Sequence, residues 1–294
     1  MLVFPKKLNT IANNTNTYLK SYFSKQKSNS YLLQPMKYGV FSGGKRFRSA
    51  VVVNTGRIFN IDYKKLIIIG SAIECIHSYS LIHDDLPSMD NDELRRGKLS
   101  VHKKFNEFTA ILAGNSLLTL AFEILSGDNL QLPHHHKNEL IKTLSMCAGH
   151  SGLAGGQYSD LTFENKSILK KNIINMQKKK TGELFGFCCE SIAIIKSTNS
   201  AKRKELKEIG INIGLLFQIV DDLIDYKGDT MIAGKPTRSD EKKGKATLVN
   251  LLGYKETINF AKDLKKKIDQ QIKKYGTKAN DLLDSVEFIV KRKF

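Results

Sequence analysis

The sequence predicts an all-α domain, and three patterns carry that prediction. From Lys204 to Tyr226 the residues Leu206, Ile209, Ile213, Leu216, Val220 and Leu223 recur every three or four positions, the spacing that lines one helix face. From Leu66 to Leu86 apolar residues lie nearly all round, with Ile67, Ile68, Ile69, Ile73, Ile76, Leu81 and Ile82, as in a central helix walled by others. Period-two alternation between turn residues is scarce.

Along the chain, the β-branched run Val51–Val53 sits inside a longer helix-compatible segment, so it does not read as a strand. The Leu66–Leu86 helix is expected at the centre of the fold, and Lys204–Tyr226 contributes a buried stripe. Between Thr257 and Tyr275, Ala261, Leu264, Ile268 and Ile272 face away from lysines, the pattern of a peripheral helix. Gly, Pro, Asn, Asp and Ser gather at 24–31, 60–62, 126–136, 163–167, 197–200 and 228–244 and mark connections. None is long enough to separate domains, so 1–294 is expected to be one helical bundle. His134–His136, following Pro133, is expected in a surface loop.

Length and composition bound the function. The 294 residues are 41% hydrophobic and 26% charged, which excludes a disordered or fibrous chain. The longest unbroken apolar runs, such as Ala50–Val53 and Leu66–Ile69, cover four residues, so no membrane insertion is expected. Pro5, Lys6 and Lys7 interrupt the start where a secretory signal would be apolar, and a cytoplasmic location is expected. Cys75, Cys147, Cys188 and Cys189 form no metal or disulfide spacing and read as small buried hydrophobes. With 47 basic and 29 acidic residues the net charge is +18, which fits a polyanionic substrate, an anionic surface or solvated lysines. Solvated lysines account for most of it.

Two acidic clusters carry the chemistry. In the first, Asp84 shares a helix face with His77 and Ser80, while Pro87 lets the chain turn and bring Asp90 back toward Asp84. In the second, Gln218, Asp221 and Asp225 fall at i, i+3 and i+7 on one face beside the apolar stripe. Carboxylates at helix C-terminal ends repel each other and the macrodipole, so a cation must compensate. Few carboxylates without sulfur suit Mg²⁺, which retains waters and completes its shell with phosphate oxygens. Basic residues after Gly43-Gly44, at Arg95-Arg96 and at Lys180-Thr181 suit diphosphate groups. No G-x-x-x-x-G-K-[ST] nucleotide loop is present.

These residues occur as GGKRFR (43–48), DDLPSMDNDELRRG (84–97), GGQYSDL (155–161), KTG (180–182) and FQIVDDLIDYKGD (217–229) followed by Gly234-Lys235. Motifs and order resemble the trans-prenyl diphosphate synthases, the bacterial farnesyl diphosphate synthases most, from Met36 to the tail. The resemblance implies an all-α bundle around a deep cavity, a homodimer, and about two to three Mg²⁺ ions per active site. It implies that Asp84, Asp85, Asp90, Asp221 and Asp225 ligate the metal. Gly44, Lys45, Arg48, His77 and Arg96 would hold isopentenyl diphosphate, and Arg95, Lys180, Thr181, Gln218, Lys235 and Lys245 the allylic diphosphate. Gln157, Asp160 and Asp222 would support these groups, while Tyr79 and Ser80 would floor the cavity and limit chain length.

The implied reaction condenses isopentenyl diphosphate with dimethylallyl and then geranyl diphosphate, giving farnesyl diphosphate. Geranyl or geranylgeranyl diphosphate as product is the nearer alternative. A basic helical nucleic-acid-binding protein is the alternative from another class, though no nucleic-acid partner is expected. Departures from the resembled pattern are Ser49 for a usual Pro, Asn115 for a usual Asp, Asn91 and Glu93 in the acidic run, and Arg238 for a usual Gly.

Overall fold

A computed structural model of the protein describes residues 3–26, 31–227 and 243–292. Helices dominate them, as predicted. By compactness the chain divides into two units, residues 1–56 with 60–141 and residues 57–59 with 142–294, taken here through their described residues.

The first unit contains α1 (Val3–Ser24), α2 (Leu33–Val40), α3 (Phe47–Ile58, to Gly56), α4 (Tyr63–Asp84), α5 (Val101–Lys104) and α6 (Glu107–Ser126). Asp62 starts α4 by accepting the Lys65 N–H at 3.2 Å. Nearly every residue from Leu66 to Ile76 is buried against α1, α2 and α6, so α4 is the core helix of this unit. Fully burying each Leu or Ile contributes about 1.5–3 kcal/mol. Within this core Glu74 accepts the Ser49 N–H at 3.2 Å and pairs with Arg46 at 3.6 Å, while Ser49 Oγ meets Thr15 Oγ1 at 2.8 Å. Ser49 therefore uses a backbone N–H that proline lacks, which accounts for that departure. By length and composition both α4 and α6 contain windows apolar enough to cross a membrane, and those windows are 78% and 44% buried within the protein.

One small β element was not predicted. Leu94–Arg95 and Lys98–Leu99 pair antiparallel around a two-residue turn in which Arg96 and Gly97 have φ of 55° and 74°. Positive φ at both central positions is the turn that matches strand twist. Arginine in place of the usual Asn or Asp hid it.

The helix α7 (His134–Ala148) corrects the loop expected at His134–His136. Pro133 opens the helix, its carbonyl accepting from the N–H groups of His136 at 3.0 Å and Lys137 at 3.2 Å. Proline is tolerated at a helix start because the first turn leaves N–H groups unused.

In the second unit, α8 (Leu153–Thr162), α9 (Lys170–Gln177), α10 (Glu183–Ile195), α11 (Ser200–Lys227), α12 (Leu248–Leu252), α13 (Tyr254–Lys273) and α14 (Asn280–Lys291) follow. The six residues of the α11 stripe are each at most 1% exposed, packed chiefly on α10. Helix α13 lies outside them with Ala261, Ile268 and Ile272 turned inward, as its lysine-rich opposite face predicted. All four cysteines are buried and unbridged, and burial pushes the Cys75 and Cys147 thiols up to about 12.

Candidate active site

The first carboxylate cluster is built by the way α4 ends. Asp84 is its last residue and Asp85 the cap, whose N–H reaches the Leu81 carbonyl at 3.1 Å. The chain then turns through exposed Pro87, and the Asp90 N–H donates to the Asp84 carbonyl at 2.9 Å. This bond closes the gap that the sequence left between them. Asp85 is buried and accepts from Arg95 Nε at 2.9 Å and from Nη2, while Arg95 also meets Asp92 at 3.2 Å. Burial raises the Asp85 carboxyl above its ordinary value, against the pull of Arg95. The β turn thus delivers a guanidinium to the foot of the acidic helix end, where the macrodipole favours a cation.

A basic cluster lies in the same unit. Gly43 and Gly44 have φ of 113° and 107°, and a Cβ on Gly44 would stand 2.5 Å from the Arg96 guanidinium. Glycine is needed there for both reasons. Arg96 donates to the Gly43 carbonyl, and burial among cations lowers its guanidinium to about 10. His77 is held well below its ordinary value by burial, then by Arg48, Arg96, Arg46 and Arg95. Burial and nearby guanidinium groups thus both favour the uncharged imidazole. Lys45 is exposed, whereas Arg46, which the resemblance left out of the substrate-holding set, is buried on Glu74, Asn16 and the Val40 carbonyl.

The second unit carries the other site residues. Between α9 and α10 the chain makes a wide π turn at Lys178–Gly182, a form often found at functional sites. Gly156 of α8 packs on it so closely that a Cβ would overlap the Lys180 backbone nitrogen. Lys180 Nζ and Lys245 Nζ converge on Asp160 Oδ2 at 2.8 and 2.9 Å, and Lys245 also meets Glu164 at 2.8 Å. Burial works to raise the Asp160 carboxyl, but Lys180 and Lys245 outweigh it and hold it below the ordinary value. Thr181 Oγ1 donates to Gln218 Oε1 at 2.9 Å, Gln218 Nε2 to Asp222 Oδ1 at 2.8 Å, and Gln177 Nε2 to Asp222 Oδ2 at 2.7 Å. Both Asp222 oxygens are engaged by amides, which fixes the orientation of Gln218. Asp225 is 2% exposed, and Asp221 accepts from Arg292 at 2.7 Å. Gln157 is buried, its amide atoms making no hydrogen bond among the described residues. Gln177 and Glu164 escaped sequence reading, because only the fold brings them to these partners. Gly234, Lys235 and Arg238 lie outside the described residues.

The donor set tests which metal fits. Asp84, Asp90, Asp221 and Asp225 offer hard carboxylate oxygens, and His83, beside the first cluster, faces the Ile111 carbonyl at 3.1 Å. Among the described residues no three His, Cys, Asp or Glu side chains form a ready-made metal cage. Carboxylate oxygens suit Mg²⁺, which shares its shell with water and phosphate, whereas zinc favours histidine and cysteine.

Residues 29–286 match the family model for polyprenyl synthetase. The chain belongs to the polyprenyl synthetase family. The chain is 39% identical over 248 residues to a farnesyl diphosphate synthase of Geobacillus stearothermophilus, covering 83% of this chain and 84% of that one. To the farnesyl diphosphate synthase of Escherichia coli it is 36% identical, covering 95% and 94%. Among solved structures it resembles an FPP/GFPP synthase from Zymomonas mobilis, with a TM-score of 0.87 at 39% identity over 99% and 100% of the two chains. A Helicobacter pylori geranyltransferase complexed with magnesium and isoprenyl diphosphate matches with a TM-score of 0.81 at 31% identity, covering 96% of each chain.

Proposed function

We propose that this polyprenyl synthetase is a farnesyl diphosphate synthase, a magnesium-dependent prenyltransferase that adds isopentenyl diphosphate to dimethylallyl and then to geranyl diphosphate. The near full-length likeness to farnesyl diphosphate synthases carries the reading. Asp84 and Asp90 would hold Mg²⁺ at the end of α4, and Asp221 and Asp225 would hold it in α11. When bound, Mg²⁺ supplies Lewis-acid neutralisation of the negative charge that grows on the departing diphosphate. Lys180 and Lys245, pinned on Asp160, keep two ammonium groups ready for that charge without reorganisation. Arg95, already compensated by Asp85 and Asp92, places a guanidinium at the first cluster.

Lys45, Arg48, Arg96 and His77 would hold isopentenyl diphosphate. Its double bond attacks the allylic carbocation left once the carbon–oxygen bond to diphosphate has broken. The proton lost from the new chain passes to the released diphosphate, so no protein general base is needed. Incubation with dimethylallyl and isopentenyl diphosphates, with and without Mg²⁺, tests the reading by chromatography of the dephosphorylated products. Farnesol formed only with metal is the expected result. No isoprenoid product, with salt-sensitive retention of DNA or RNA, would favour the nucleic-acid reading instead.

Chain length needs a floor, because each further buried methylene is worth about 0.8 kcal/mol and a longer pocket would keep rewarding growth. Tyr79 is the floor in this reading. Its ring stacks edge-on with His83 at 5.1 Å, and its hydroxyl is raised by burial and by the charge of Asp84. Ser80, whose hydroxyl bonds the His77 carbonyl at 2.9 Å, is smaller and buried. Tyr79→Ala is expected to shift the product from fifteen carbons to twenty or more. An unchanged product distribution would remove Tyr79 from this role.

The enzyme is proposed to work as a cytoplasmic homodimer. Phe108, Ile111 and Leu112 of α6 are 66%, 42% and 49% exposed, and with Asn115 they form one helix face. Uncharged Asn115, where the family pattern has Asp, suits burial of that face by a second copy. Light scattering is expected to give a dimer for the wild type and a monomer for Phe108→Glu combined with Ile111→Glu; a monomeric wild type would contradict this.

A further inference from the structure

The end of the chain returns to the second carboxylate cluster. Arg292, just past α14, donates from Nη1 to Asp221 Oδ1 at 2.7 Å and from Nη2 to the Phe217 carbonyl at 3.3 Å. Its guanidinium carbon lies 4.0 Å from the centroid of the Phe217 ring. Phe217 in turn packs on Phe185 with centroids 5.5 Å apart, and Phe185 is fully buried. Phe217 and Asp221 stand one turn apart on α11, so a single guanidinium meets a charge, a backbone acceptor and an aromatic face at once. Its side chain is only 17% exposed.

Asp221 is also one of the carboxylates assigned above to Mg²⁺. A guanidinium bonded to it and a Mg²⁺ ion at about 2.1 Å from the same group would crowd two positive charges against each other. We propose that Arg292 is a tethered cation that occupies Asp221 and must leave before a divalent ion binds there, so that it sets the metal demand of the second cluster. The proposal rests on the reading that Asp221 is a metal ligand. Without metal, Arg292 offsets the charge of Asp221 beside Asp225. A solvated ion must displace it unaided, whereas an ion arriving with a diphosphate brings phosphate ligands that favour the exchange. Arg292 thus discourages metal uptake at Asp221 without substrate.

The test uses Mn²⁺, a hard oxygen-seeking ion whose free form has a strong electron-spin-resonance signal. The full-length protein is titrated without substrate as wild type, Arg292→Gln, Arg292→Lys, Asp221→Asn and the Arg292→Gln/Asp221→Asn double variant, each checked for native circular dichroism. Removing a partly exposed charge pair is expected to tighten Mn²⁺ binding by about two- to fivefold in Arg292→Gln. Arg292→Lys, which keeps the charge but loses the planar fork, is expected to fall between, and keeps the test open should the Gln variant misfold. In the Asp221→Asn background, Arg292→Gln is expected to change nothing. If Asp221→Asn weakens Mn²⁺ binding while Arg292→Gln leaves it equal or weaker, Asp221 is a ligand and the tethered-cation proposal is overturned. If Asp221→Asn leaves binding untouched, the metal reading of Asp221 fails, and the proposal fails with it.

Discussion

Asp84→Ala is expected to lower turnover by about a thousandfold or more while the protein stays folded. The loss follows from the Lewis-acid contribution of the metal, several kcal/mol, at about 1.4 kcal/mol per tenfold in rate. Stability should move by less than about 1 kcal/mol, because two effects of the carboxylate oppose each other. As the last residue of α4, its charge is unfavourable to the helix dipole, yet it also lies in the field of Arg95. Removing it relieves one and loses the other. Steady-state kinetics at saturating Mg²⁺, read beside urea unfolding, separate catalysis from folding. Turnover within tenfold of the wild type would contradict the metal role of Asp84, and a collapsed fold would move the argument to stability. Asp221→Ala should behave alike in the second cluster.

Asp160→Asn should have the opposite profile, a large loss of stability together with weakened substrate binding. One Asp160 oxygen holds both Lys180 and Lys245, and the side chain is 10% exposed. Removing its charge takes one shared carboxylate from both ammonium groups at once, while Lys245 keeps Glu164. Breaking a buried pair in this way costs about 3 kcal/mol near neutral pH. The pH dependence has a definite sign. Because the lysines hold the folded carboxyl below its ordinary value, Asp160 contributes stability that is complete above the ordinary carboxylate pKa of about 3.9 and is lost as pH falls through the depressed folded value. Urea unfolding should therefore separate wild type from Asp160→Asn widely at pH 7 and progressively less below about pH 4. The KM for the allylic substrate should rise as well, since Lys180 and Lys245 lose the anchor that aims them. Equal stabilities at pH 7 would show that the triad is not a structural pair.

How much of this was legible in the sequence follows from how local each feature is. The α11 stripe and the apolar α4 were readable because helix periodicity acts within a few residues, and the turn at Pro87 because proline acts on its neighbours. The acidic and basic clusters were readable by residue type and spacing. What escaped depended on distant partners. Arg292 and Asp221 are 71 residues apart in the chain. Nothing local to the basic run told that Arg46 is claimed by Glu74, 28 residues on. The supporting place expected for Asp222 was readable, but not that Gln177 and Gln218 would take both its oxygens. The β turn at Arg96-Gly97 and the π turn at Lys178–Gly182 are backbone choices that residue type signals weakly.

Calorimetric titration of Mg²⁺ into the protein saturated with a non-ionising allylic thiodiphosphate tests the central claim most directly. The account predicts metal uptake that is reduced in Asp84→Asn and reduced separately in Asp221→Asn. Undiminished uptake in both variants would contradict it.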